Sequence, residues 1–243
     1  MSRLSIPLCL CLLFLFSSGV RAFDNAAGTA GSSAGERVPV GGARDNPCTP
    51  AKLLDNHDGT FHCGYCWQYG GIVPPYYGAF AEEFEANGVA CGIQLVLTRF
   101  FEYPSGPLDA YVWSNEAGLP GTVLGVTRGI DPGPVALFPR HSYHDLPIEA
   151  VPVDGIFFAG YWADWSQQPC GYFLGEDQDG PGGGQPLTNI APGIGYPTGW
   201  TDVSVIWGPT QAMGIGAWVR AEGTPVDRHS WGRIKSLYDE TRR

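Results

Sequence analysis

Basic residues are scarce in this 243-residue chain, which has 14 Lys and Arg against 24 Asp and Glu and a formal net charge of −10. Nucleic acids and anionic membrane surfaces both require a positive field, so this balance excludes them as ligands. Only 16% of the residues are charged, whereas the chain has 35 Gly and 21 Pro. This density of turn formers is typical of an extracellular all-β protein with short strands.

Long apolar runs are missing after the first residues. The run from Leu4 to Phe16 has roughly 13 residues, too few to span a bilayer as a helix. Arg3 precedes this run and Ala22 ends a small-residue cleavage site, so the pattern predicts a signal peptide over residues 1–22. We therefore expect export to the periplasm, the cell surface or the medium, and no transmembrane segment.

The rest of the chain divides into three parts by composition. Residues 23–47 are rich in Gly, Ala and Ser without an apolar period, which predicts a flexible linker. Residues 48–222 form the folded domain. Residues 223–243 turn basic, and their apolar side chains recur at helical spacing, which predicts a short amphipathic helix in this C-terminal tail; these side chains are Trp231, Ile234, Leu237 and Tyr238.

Short apolar segments separated by Pro and Gly turns fill the domain, without the alternation of strands and helices that a parallel sheet requires. They predict an antiparallel β-sandwich or barrel. One short helix is expected at Ala79–Asn87, with Gly88 as its stop, and an ordered surface loop at 175–200. The predicted strands are Cys91–Phe101, Leu108–Trp113, Thr122–Thr127, Ile148–Val153, Gly155–Trp162, Gly171–Leu174, Val203–Trp207 and Ile215–Ala221.

Five cysteines remain after the signal peptide, and in an exported chain they predict two disulfides with one thiol left over; they are Cys48, Cys63, Cys66, Cys91 and Cys170. Cys63 and Cys66 form a CxxC motif, but the glycines and prolines after it do not build the helix that a redox site needs. No second CxxC or HxxxH supports zinc. We expect a structural role, with one or both thiols tying the N-terminal segment to the strand at Cys91.

Several acidic residues have the spacing of ligands or catalysts. Asp177 and Asp179 partly match a calcium loop, although the later Glu and the flanking helices of an EF-hand are absent. The segment DNHDG at 55–59 is a weaker calcium candidate, and a solvated turn is the alternative for both. A glycan hydrolase would need two carboxylates across one cleft, and the candidates are Glu82, Glu83, Glu85, Glu102, Glu176 and Asp177. Residues 141–145 contain Ser, His and Asp, but the members of a triad usually come from distant segments.

Large aromatic side chains in or beside the turns are the candidate ligand-binding residues. Trp and Tyr at loop edges can form a platform on which a sugar ring or a protein side chain stacks. The alternative is that they cover the ends of the core. The set comprises Tyr76, Tyr77, Trp162, Trp165, Tyr196 and Trp200.

Several longer segments, among them WQYGG, PPYYGAF, GIFFAGYW, PLTNIAPGIGYPTGW and SWGRIKSLY, give the chain a resemblance along nearly its whole mature length. It resembles a group of uncharacterised secreted bacterial proteins with a SWGRIKSLY-type tail. The resemblance implies a jelly-roll-like antiparallel β-sandwich and carries over no catalytic residues.

The sequence therefore predicts an exported, non-catalytic binding or structural module that recognises a glycan or a surface protein through its loop aromatics. A secreted glycan-active hydrolase that uses loop carboxylates is one alternative. A purely structural surface protein is the other. No cofactor beyond structural calcium is expected, and the sequence leaves the ligand and the oligomeric state open.

Overall fold

A computed structural model describes residues 36–38, 48, 50–68, 76–166 and 168–221. Of these residues 55% are β-strand and 2% are helix, which confirms the all-β prediction. The predicted signal peptide and the C-terminal tail lie outside them. The elements are β1 Glu36–Val38, β2 Lys52–Asp55, β3 Cys63–Tyr65, β4 Phe80–Thr98, β5 Leu108–Glu116, β6 Leu119–Ile130, β7 Ser142–Trp162, β8 Phe173–Asp177, β9 Leu187–Ile190, β10 Gly199–Asp202, α1 Ser204–Trp207, β11 Ala212–Met213 and β12 Ile215–Arg220.

Two long strands, β4 and β7, organise the sheet and run antiparallel along almost their whole length. The second half of β7 also pairs with β5, and β5 pairs with β6. The start of β4 pairs with β9, and β9 pairs with β10. The second half of β4 pairs instead with β12, which pairs with β2, while β8 joins the end of β4 and carries β3 and β11. All 12 strands belong to one mostly antiparallel sheet, which does not close on itself.

The pairing along β4 is interrupted at Cys91. The register with β7 shifts between Ala90 and Gly92, and the register with β12 shifts at the same place, between Trp218 and Val219. An extra residue in one strand bends and twists that strand locally. The bulge at Cys91 therefore bends β4 within its pairing with β12, which continues on both sides of the bulge from Val89 to Leu95.

Side chains alternate between two apolar clusters along the central strands. On β5, Ala110 and Val112 belong to the main core, whereas Tyr111 and Trp113 belong to a second cluster on the other face. Strand β12 contributes Ile215 and other side chains to the main core. The second cluster comprises Ala79, Ala81, Tyr111, Trp113, Phe158, Trp162 and Leu187, with Tyr76, Val123, Val126 and Trp200 packed against it.

The helix predicted at Ala79–Asn87 is wrong, because these residues form the first half of β4. Phe80 and Phe84 stand four residues apart, which fits one face of a helix and equally one face of a strand. They lie opposite Tyr161 and Phe157 of β7, with ring centroids 6.0 and 5.9 Å apart. Cross-strand aromatic packing of this kind overrides the helix propensity of Ala and Glu.

Other predicted elements differ from those of the structure in smaller ways. The strand expected at Val203–Trp207 is wrong, since residues 204–207 form the single turn α1 after Asp202, whose carboxylate accepts the N–H of Ser204. The two strands expected at 148–153 and 155–162 are one strand, β7. The predicted loop at 175–200 contains the end of β8, all of β9 and the start of β10. Within the predicted linker, β1 pairs in parallel with the start of β7.

Two disulfides join Cys48 to Cys91 and Cys66 to Cys170, as the cysteine count predicts. The two cysteines of the CxxC motif have different roles. Cys66 forms one of these bridges, whereas Cys63 is buried in β3 and takes part in neither. The expected bridge from the motif to Cys91 is wrong, because Cys91 pairs with Cys48. Disulfides fit an oxidising compartment. Among the described residues, no helix has both the length and the apolar character to cross a membrane.

Candidate functional site

Two of the aromatic side chains that the sequence marks for ligand stacking lie in the interior. Trp165 is 2% exposed and packs edge-on against Tyr172, with ring centroids 5.0 Å apart. Trp162 is 8% exposed, and its indole N–H donates to the carbonyl of Tyr77 at 3.0 Å. A ring that stacks on a ligand needs an accessible face, so burial removes Trp162 and Trp165 from the candidate binding residues.

Tyr76 and Trp200 cover the second cluster. The Tyr76 ring centroid lies 4.7 Å from that of Tyr111, and the Trp200 centroid lies 5.3 Å from that of Trp113. Tyr111 and Trp113 stack on each other at 5.1 Å and are buried. Tyr76 and Trp200, like Tyr77, are half-buried, and a half-buried Tyr196 packs against the main core. These rings therefore close apolar clusters and do not form a single exposed platform.

The calcium candidates Asp177 and Asp179 lie beside His62, and one ligand atom from each falls within 4.8 Å of the others. Hydrogen bonds already occupy these atoms. The His62 Nδ1 accepts the N–H of Gln178 at 3.2 Å, so the neutral ring carries its proton on Nε2, which faces Asp179 Oδ1 at 3.3 Å. The buried Asp177 carboxylate accepts three backbone N–H groups, those of Asp58, Asp179 and Gly180, at 3.0, 3.1 and 2.8 Å.

The loop at residues 55–60, which carries the DNHDGT motif, is held from two sides by buried carboxyl groups. On one side, Asn56 Nδ2 donates to Glu82 Oε1 at 3.1 Å and to the Glu83 carbonyl at 3.0 Å. On the other side, Asp177 Oδ2 accepts the N–H of Asp58. The loop exposes Asp55 and Asp58 to solvent. Because β4 and β8 fix its conformation, the loop loses little conformational entropy when a ligand binds.

Glu82 anchors the loop from inside the fold. Its side chain is fully buried, and Oε2 accepts the N–H of Met213 at 3.0 Å. Burial raises the pKa of Glu82 to about 8, although the N–H of Met213 and the amide of Asn56 act in the opposite direction. Glu82 is therefore mostly protonated at neutral pH. Glu82 lies in β4 and not in the helix predicted at Ala79–Asn87, and its side chain does not face solvent.

A groove of about 320 Å³ opens beside this loop, and we call it the Tyr143 groove. It exists because Gly216 of β12 separates Asp55 of β2 from Gln94 of β4 across the sheet. A Cβ at position 216 would come within 2.9 Å of Leu53 Cδ1, so a side chain there would crowd the groove. The groove is lined by Leu53, Asp55, His57, Asp58, Gly59, Gln94 and Tyr143.

His57 forms part of the wall of the Tyr143 groove. Its ring meets Phe61 edge-on with centroids 5.0 Å apart, and both ring nitrogens are buried with no hydrogen-bond partner among the described residues. Burial lowers the pKa of His57, while Asp55, Asp177 and Asp58 oppose that shift. The imidazole is therefore neutral at neutral pH, and the charges that face this groove are the carboxylates of Asp55 and Asp58.

A second groove, of about 280 Å³, adjoins the first across Leu53 and Asp55 of β2. We call it the β4-edge groove, because residues 83–85 of β4 form one of its walls. Its surface mixes apolar side chains with carboxylates. It is lined by Lys52, Leu53, Leu54, Asp55, Asn56, Glu83, Phe84, Glu85, Ile156 and Gly183.

Ser142 and His144 form a buried hydrogen-bonded pair in β7. Ser142 Oγ lies 2.7 Å from His144 Nε2, and His144 Nδ1 lies 2.6 Å from the carbonyl of Pro132. The carbonyl accepts a hydrogen bond from Nδ1–H, so Nε2 accepts a hydrogen bond from the hydroxyl of Ser142, and burial lowers the pKa of His144. Both side chains are 0% exposed. No substrate reaches this pair in the structure, and its role is to satisfy polar groups inside the sheet.

Comparisons of the chain with protein-family models, curated proteins and solved structures found no match. The candidate site therefore rests on the geometry of the chain itself. Sequence reasoning noticed the DNHDGT segment but missed Tyr143 and Gly216. Strand alternation places Tyr143 and Asp145 on one face of β7 and Ser142, His144 and Leu146 on the other, but burial in the structure decides which face lies inside.

Proposed function

We propose that this protein is an exported, non-catalytic binding module, and that it recognises a neutral or basic glycan in the Tyr143 groove. The observation that carries the proposal is the pre-ordered loop at residues 55–60. Its exposed carboxylates stand beside the half-buried ring of Tyr143, which lines the groove, and buried carboxyl groups on β4 and β8 fix its position.

The chemistry of the groove supports a polyhydroxylated ligand. The carboxylates of Asp55 and Asp58 are acceptors for hydroxyl groups, and the ring of Tyr143 offers a face for the apolar side of a sugar. The net charge of −10 disfavours polyanionic glycans. The signal peptide, secretion and a jelly-roll-like arrangement of the sheet belong to the same proposal; the two disulfides support export to an oxidising compartment.

A glycan array probed with residues 23–243, with and without calcium, tests this function. Tyr143→Ala should weaken binding to any hit about 5- to 150-fold, the range for losing a contact of about 1–3 kcal/mol. The matched control is Tyr103→Ala, which removes a 37% exposed tyrosine outside both grooves and should leave binding unchanged. The fold of each variant is checked by its thermal midpoint.

Three other results would change the proposal. Absence of any hit, or equal binding by Tyr143→Ala and the wild type, would overturn glycan recognition in this groove and favour a surface-protein ligand or a purely structural role. Release of reducing ends from a bound glycan would support the hydrolase alternative. Binding that requires calcium would show that an ion, rather than the His62–Asp179 contact, organises Asp177 and Asp179.

A further inference from the structure

Among the described residues, no strand pairs with one edge of β4 along residues 82–88. On this side Phe80 and Ala81 pair with β9, and pairing with β12 begins at Val89. The intervening residues pair with β7 on the opposite side throughout. The β4-edge groove lies along this gap, with Leu53 and Ile156 among its apolar lining residues.

The backbone of this edge is available for pairing at Glu85 and Asn87. The Glu83 carbonyl points into the gap, where it accepts the Asn56 amide. Because the N–H and C=O of a strand residue lie on one side and alternate along the strand, Glu85 and Asn87 direct theirs into the same gap. Both residues are exposed, and among the described residues neither has a backbone partner on that side.

We propose that this edge accepts an extended, basic segment of another protein as an added antiparallel strand. The charges of the β4-edge groove favour a basic segment, because Asp55, Glu83 and Glu85 line it and Lys52 is the single cation in the lining. Carboxylates along an open edge disfavour neutral and acidic strands, which protects the edge from aggregation. A strand with Lys or Arg at alternate positions satisfies the carboxylates and the backbone together, and its other side chains meet the apolar lining. This peptide site shares Leu53 and Asp55 with the Tyr143 groove but does not include Tyr143.

The experiment uses synthetic ten-residue peptides with blocked ends and measures their affinity for residues 23–243 by calorimetry. The probe alternates Lys and Val. The first control alternates Glu and Val. The second control has the probe sequence with every second backbone nitrogen methylated, which keeps the charge but prevents ladder formation. We expect the probe to bind, both controls to bind at least about 10-fold more weakly, and amide exchange at Glu85 and Asn87 to slow on binding.

Variants on the protein separate charge from backbone pairing. Glu83→Gln with Glu85→Gln should weaken the probe about 10-fold, whereas Glu102→Gln with Glu149→Gln, two exposed carboxylates outside the groove, should not. Glu85→Pro should also weaken the probe, because it removes an N–H that faces the gap and leaves the ladder to β7 intact. Equal binding of the methylated peptide, or no binding of the probe, would overturn the proposal. Neither result bears on Tyr143.

Discussion

Replacing Glu82 with glutamine should remove a dependence of stability on pH that the buried carboxyl group confers. In the folded protein the pKa of Glu82 is about 8, compared with an ordinary value of 4.5. Between pH 4.5 and pH 8, the folded state therefore retains a proton on Glu82 that the unfolded chain has already released. The stabilisation is complete below pH 4.5, and it is lost as the pH rises through 8.

The size of the effect follows from the interval between the two pKa values. At about 1.4 kcal/mol per pH unit, the interval corresponds to roughly 5 kcal/mol of unfolding free energy. Buried histidines act in the opposite direction, because burial lowers the pKa of His57, His141 and His144 and the folded state resists their protonation in acid. These contributions cancel in the difference between the wild type and Glu82→Gln, which isolates the glutamate.

The assay is urea unfolding of both proteins at pH 5, 6.5, 8 and 9. The free energy of unfolding of the wild type, relative to that of Glu82→Gln, should fall by several kcal/mol between pH 5 and pH 9. Glu85→Gln, an exposed carboxylate on the same strand, is the control and should give a nearly constant difference. Parallel pH curves for the wild type and Glu82→Gln would refute the argument that burial keeps Glu82 protonated.

Two further predictions concern the anchors of the fold. Thiol titration of the denatured mature protein should detect one thiol, that of Cys63, before reduction and all five after it; four or five thiols before reduction would contradict the two disulfides. Asp177→Asn should lower the free energy of unfolding by about 1–3 kcal/mol, because the new amide group faces backbone donors that the carboxylate satisfied. Asp179→Asn, whose side chain is 71% exposed, should change it by no more than about 0.5 kcal/mol in urea unfolding.

The strands were largely predictable from the sequence, because their alternation is local. Ile93, Leu95 and Leu97 occupy one face of β4 and are buried there, as their spacing indicates. The first half of the same strand was not predictable, since Phe80 and Phe84 fit either period. The contacts that decide between helix and strand come from Tyr161 and Phe157, more than 70 residues later in the chain.

The candidate site was predictable only in part, for a related reason. The DNHDGT segment contains suitable ligand types, but its conformation depends on a glutamate 26 residues from Asn56 and an aspartate 119 residues from Asp58. The aromatic prediction failed for Trp162 and Trp165 because a position beside a turn does not determine which way a ring points. The pairing of the cysteines was not predictable either, because the partner of Cys66 is 104 residues away in the sequence.

The position of the two buried carboxyl groups, those of Glu82 and Asp177, bears on whether the loop at residues 55–60 has a function. A buried carboxyl group destabilises a fold unless hydrogen bonds compensate it, and an apolar residue fills a core position without that requirement. Glu82 and Asp177 come from different strands, yet both accept hydrogen bonds from this short loop. Glu82 accepts one from the side chain of Asn56, and Asp177 accepts one from the N–H of Asp58. If the loop merely joined β2 to β3, its exact conformation would matter little to the core. The fixed conformation matters to a ligand in the Tyr143 groove, because it holds Asp55 and Asp58 in place before binding.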